Sequence, residues 1–220
     1  MLRTCLPSPR IYQKHELATL NFLRTSPTVA TNFSMLARDA EYAYFRIKNA
    51  QAGYGFESWL EADLDGTRRR IFFGGKVDVE NGLHTGSSYY LAFGKNLQTP
   101  EALIRKIHFD FQPQAGQSDK PVFHMQYAGQ LSRTLRDCGC TDQSLQPKES
   151  KPRIPFIPVS LALLLDIIFV ESLDGNCSRL HNSSEWCDLV KSNETAFLDP
   201  FFDRMKSPGG LRMRHWYARA

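Results

Sequence analysis

At 220 residues, with 42% hydrophobic and 12% aromatic content, the chain is long enough to bury a substantial core and too apolar to be a disordered segment. Its formal charge of +4 permits an anionic partner without demanding one. Met1 to Tyr12 lacks the apolar run of a signal peptide, and Leu161 to Val170 is too short to span a bilayer and contains Asp166, so a cytoplasmic protein with no membrane anchor is expected.

In chain order, Leu17, Leu20 and Leu23 recur at helical spacing, which predicts a short helix over Ile11 to Leu23, ended by Thr25-Ser-Pro27. A longer helix is expected from Asn32 to Gln51, with Phe33, Leu36, Ala40 and Ile47 on one stripe. A sheet follows. Phe56 to Leu64 and Arg69 to Phe73 flank Asp65-Gly66, a two-residue hairpin signal. Lys76 to Val79 reads as a separate short strand. Ser87 to Phe93 reads as another, with Tyr89, Leu91 and Phe93 on one face. One helical turn is expected between Leu97 and Leu103, after Pro100.

The most informative stretch runs from Lys106 to Ala128. Two strands, Lys106 to Gln112 and Val122 to Ala128, flank a polar loop containing Gly116, Ser118 and Asp119. Ile107, Phe109 and Phe111 alternate with Lys106, His108, Asp110 and Gln112. Phe123, Met125 and Tyr127 alternate with His124 and Gln126. Symmetric closure sets Asp110 across from His124 and His108 across from Gln126, and puts both apolar rows on one side. Leu131 to Ser150 is polar and aperiodic, so a long surface loop is expected. Lys151 to Pro158 holds three prolines and must be extended. Ser160 can cap a greasy helix over Leu161 to Leu173, packed on Ile107, Phe109, Phe123 and Met125. Asn182 and Glu185 suggest a capping box opening a last helix, Ser183 to Leu198, interrupted at Asp199-Pro200.

The expected fold is a single α+β domain over 1–220, a mostly antiparallel sheet of five or six strands. Its parts are N-terminal helices in 11–52, the sheet in 56–128, a loop and Pro-rich connector in 131–158, and two C-terminal helices in 160–206.

His108, Asp110, His124 and Gln126 are the candidate catalytic residues. Two imidazoles can act as general base and general acid, which metal-free RNA cleavage requires. Asp110 would orient His124, and Lys106 or Gln126 would steady charge in the transition state. The same His108, Asp110 and His124 also suit a two-His, one-carboxylate divalent metal site. The bland alternative is a solvated or covered sheet face. Arg68, Arg69 and Arg70, with Arg212 and Arg214 in the aromatic-rich tail, are candidate nucleic-acid contacts. Cys138-Gly-Cys140 with Cys177, His181 and Cys187 lacks the spacing of a zinc site, and the five cysteines read as reduced thiols.

The pairing of His108-Phe-Asp110 with His124-Met-Gln126, followed by Pro152-Arg-Ile-Pro155 and a greasy helix, resembles a class of uncharacterised bacterial proteins. The likeness spans Leu103 to Leu173. Related small proteins often sit beside toxin–antitoxin or phage-defence genes, so the resemblance implies such a setting and carries no catalytic role with it. The residues and that setting together lead to the expectation of an RNase-like hydrolase acting on nucleic acid. The alternative is a non-catalytic accessory protein that binds a cognate protein partner.

Overall fold

Asp65 and Gly66 have φ of 54° and 69°. Two consecutive positive values fit a type I′ turn, whose twist matches that of the strands it joins. The turn connects β1 (Tyr54–Leu64) to β2 (Thr67–Glu80), with Leu64 paired to Thr67. The computed structural model describes residues 6–25, 54–80, 83–112, 123–127, 131, 135–136, 139–142, 154–172 and 175–206. The helix expected over Asn32 to Gln51 and the tail carrying Arg212 and Arg214 lie outside the described residues.

β3 (Leu83–Gly94), β4 (Ala102–Phe111) and β5 (Phe123–Tyr127) extend the sheet in sequence order, each antiparallel to the strand before it. Two short strands complete it: β6 (Thr141–Asp142) runs parallel to β4, and β7 (Ile154–Pro155) pairs antiparallel with β5. The fold is therefore α+β, with five principal antiparallel strands. β2 corrects one expectation. It is a single strand through Gly74-Gly75 rather than two, because Gly74 pairs with Glu57 and Tyr90, and Gly75 with Phe56 and Tyr89. Ladder partners on both sides outweigh the weak strand preference of glycine. Between Leu97 and Leu103 the chain makes a single hydrogen-bonded turn, from the Ala102 N–H to the Thr99 carbonyl, and leads straight into β4.

A bulge at Phe93/Gly94 breaks the β3–β4 register, so that Leu103 pairs with Gly94 and Arg105 with Phe93. Gly94 is confined there. A Cβ at this position would lie 2.5 Å from the Pro100 carbonyl oxygen and 3.2 Å from that of Arg70. Gly94→Ala is expected to cost about 1–3 kcal/mol, the usual range for forced overpacking. A chemical-denaturation midpoint equal to that of the unmodified protein would refute this.

The first face of the sheet carries the main core. Phe73, Tyr89, Phe109, Phe111 and Phe123 cluster with residues of α1 (Pro9–Thr25), α2 (Leu161–Glu171), α3 (Gly175–His181), α4 (Ser184–Asn193) and α5 (Asp199–Lys206). Phe109 and Phe123 are buried in this cluster with α2, and Ile107 and Met125 pack against it partly buried. Ser160 caps α2 as expected, its Oγ accepting from the Leu163 N–H. α4 is capped by Ser183, one residue later than the expected Asn182, with Oγ accepting from the Trp186 N–H. Asp199-Pro200 does not interrupt the C-terminal helix. A π turn over Glu194–Leu198 bridges α4 and α5, and the Asp199 N–H reaches the Glu194 carbonyl. That shift in register carries the helix past Pro200, which has no N–H to donate. Among the described residues, the C-terminal part therefore adds α3 to the two helices expected, α2 and the continuous helix from α4 through α5.

The second face has its own cluster: Trp59, Phe72, Tyr90, Ala92, Leu103, Leu135 and Cys140, with Leu131 against it. The expectation of a surface loop over Leu131 to Ser150 is corrected for its described residues. Leu135 and Cys140 are buried, the Cys140 N–H bonds the Leu135 carbonyl at 2.9 Å, and Thr141–Asp142 joins the sheet. Apolar residues four and five apart in a polar stretch form no helical or strand period, so the pattern concealed them. No helix among the described residues is long and apolar enough to cross a membrane.

Candidate functional site

Cross-strand pairing on the second face follows the expected register: His108 opposite Gln126, Asp110 opposite His124. The row of Ser88, Asp110 and His124 crosses three strands, and the row of Tyr90, His108 and Gln126 lies beside it. Lys106 begins the polar series on β4. Alternation along β4 and β5 thus gathers one lysine, two histidines, one aspartate and one glutamine on a single face.

The cluster is not a wet surface. Lys106 and His124 are 1% exposed and Asp110 is 6% exposed, while His108 and Gln126 are part-buried. Burying this many polar and charged groups is costly unless they satisfy one another. Part of that satisfaction is visible. His124 Nε2 lies 3.5 Å from Asp110 Oδ2, an ion-pair contact rather than a hydrogen bond. Burial works against the ionised form of Asp110, but His124, the Ser88 hydroxyl and His108 outweigh it and hold the carboxyl below its usual range. Lys106 Nζ lies 5.0 Å from the Tyr90 ring centroid, a cation–π contact. The Tyr90 ring is 6.2 Å from that of His108.

His108 is pushed down to about 4, first by burial and then by the neighbouring Lys106 cation, against the pull of Asp110. It is a neutral imidazole at pH 7, able to accept a proton. A small cavity on the core face of the sheet, lined by Tyr12, Ser87, Phe109, Phe111, Phe123 and Val159, also touches Asp110 and His124.

Ser88 and Tyr90 were not singled out in the sequence. The alternation that put Tyr89 and Leu91 on the core face already assigned them to the other one. Only the β3–β4 register makes them neighbours of Asp110 and His108.

The arginines do not form a unit. Arg68 Nε lies 3.6 Å from Glu61, Arg69 donates to the Gly94 and Lys95 carbonyls, and Arg70 sits 4.0 Å over the Trp59 ring. Each is tied to the sheet. Arg70 lies beside the row of Trp59, Phe72 and Ala92 that leads to Lys106. Among the described residues, Cys140 belongs to the second-face cluster and Cys177 to the main core, so these two do not share a zinc site. Among the described residues, no three His, Cys, Asp or Glu side chains are arranged to hold a metal ion.

Comparison of the chain with protein-family models, with curated proteins and with solved structures finds no match.

Proposed function

We propose that the protein is a nucleic-acid-directed hydrolase of RNase type, working within a bacterial toxin–antitoxin or phage-defence module. The observation that carries this reading is the pairing of a neutral His108 with an Asp110-oriented His124 on one sheet face, next to the buried Lys106. Perturbed titratable groups of this kind concentrate at functional sites. In the reaction, His108 takes the proton of a ribose 2′-hydroxyl and the freed oxygen attacks phosphorus. His124 gives a proton to the departing 5′-oxygen, leaving a 2′,3′-cyclic phosphate. Lys106 stabilises the negative charge that builds on the phosphoryl oxygens.

The test is incubation of the purified protein with labelled single-stranded RNA, double-stranded RNA and DNA, in EDTA and again with Mg²⁺ or Mn²⁺. RNA scission in EDTA, with a cyclic phosphate end, supports the proposal. Scission only with metal would overturn the metal-free proton-transfer scheme. No scission of any substrate removes the hydrolase reading.

The near-complete burial of Lys106, Asp110 and His124 favours a second reading, in which the cluster is structural and the protein is a non-catalytic partner-binding accessory. A protein copurifying in stoichiometric amount, with no turnover, would support that one.

A further inference from the structure

His108 Nε2 and Gln126 Oε1 are both buried, and among the described residues neither has a hydrogen-bond partner. They belong to directly opposed residues on β4 and β5, so their side chains leave the sheet side by side. A buried polar atom left unmade costs more than an ordinary hydrogen bond contributes, and a native fold rarely keeps two such atoms together without use. Gln126 Oε1 is an acceptor, and so is His108 Nε2 in the Nδ1–H tautomer of an imidazole that is neutral at pH 7. What they lack is a guest that brings donors.

Resting on the nucleic-acid reading above, we infer that His108 and Gln126 form a nucleotide-reading subsite, in which Gln126 Oε1 accepts from the exocyclic amine of a base while the ribose of that nucleotide lies at His108 Nε2. Adenine and cytosine carry such an amine. Uracil carries an oxygen in its place, which would face the amide oxygen with no hydrogen between them. The subsite therefore selects amino bases over uracil. Gln126 is a specificity residue in this scheme, and His108 keeps its role as proton acceptor.

The experiment uses the full chain and 2′-O-methyl oligonucleotides of adenosine, cytidine or uridine, which lack the attacking hydroxyl and are not cleaved. Fluorescence anisotropy is expected to give adenosine and cytidine oligomers about tenfold tighter binding than uridine oligomers, the scale of one well-placed hydrogen bond. Gln126→Leu, and independently Gln126→Met, should abolish that preference with a melting temperature equal to or above that of the unmodified protein, because an orphaned acceptor is removed. Equal binding of all three oligomers, a preference that survives both substitutions, or a melting temperature lowered by several degrees in both would overturn the inference. Selective binding without scission of ordinary RNA would keep the subsite and discard the hydrolase. Scission with indiscriminate binding would do the reverse.

Discussion

Replacing Glu16 by Gln is expected to make the protein relatively more stable as the pH rises from about 4 to about 8, by about 3 kcal/mol over that window. Glu16 lies on α1 and is completely buried. Its Oε1 accepts from the Tyr89 hydroxyl at 2.8 Å and from the Leu161 N–H, at the start of α2, at 3.2 Å. One carboxyl thus joins the N-terminal helix to the sheet and to the helix over it. Burial pushes Glu16 up from 4.5 to about 7 in spite of both bonds, and raises neighbouring Tyr12 as well. The folded-state value is the higher one. The contribution of Glu16 is therefore fully present below about 4.5 and is lost as the pH climbs through about 7. At about 1.4 kcal/mol per pH unit, the gap corresponds to the effect stated.

The unmodified protein alone will not display that slope cleanly. His108 is shifted down, so its contribution is present above about 6.5 and lost as the pH falls through about 4, opposite in sign. Asp110 and His15 are also shifted down and act in the same direction as His108. The measurement is denaturant unfolding of both proteins across the pH range, read as a difference. A flat difference would mean that Glu16 is ionised in the folded state at no cost.

The second large effect is kinetic. His108→Gln and His124→Gln are each expected to lower the rate of RNA scission by about 10²- to 10⁴-fold, the usual worth of a positioned acid or base. Glutamine is the informative replacement. Alanine at His124 would open a void and deprive the buried Asp110 of its partner, so lost activity could not be separated from lost fold. Unmodified protein should show an acid limb in kcat/KM near pH 4, where His108 becomes protonated, and His108→Gln should lack it. Retention of that limb in His108→Gln would assign the base to another group.

Much of the architecture could be read from alternation and turn chemistry. Asp65-Gly66 announced its hairpin, and the opposed apolar rows of β4 and β5 fixed a register that the structure reproduces pair by pair. What escaped reading depended on distant parts of the chain. Gly74-Gly75 looked like a strand break because local preference disfavours glycine, yet β1 and β3 hold it from both sides. Leu135 and Cys140 looked solvated because nothing nearby reveals the aromatic row they cover. The candidate site divides in the same way. Its members on β4 and β5 were visible, whereas Ser88 and Tyr90 needed the pairing with β3, and the burial of the whole set needed three dimensions.

The bulge beside Gly94 has a consequence for how the second face can change. In a regular strand, residues three apart emerge on opposite sides. Leu103 and Lys106 are three apart and serve the same side, the first anchoring an apolar seal, the second supplying a charge to the polar rows. One surplus residue therefore decides whether greasy lid and cationic centre share a compartment. Spacing between Leu103 and Lys106 matters as well as side-chain identity, and removing the surplus residue between Leu103 and Arg105 would part the two.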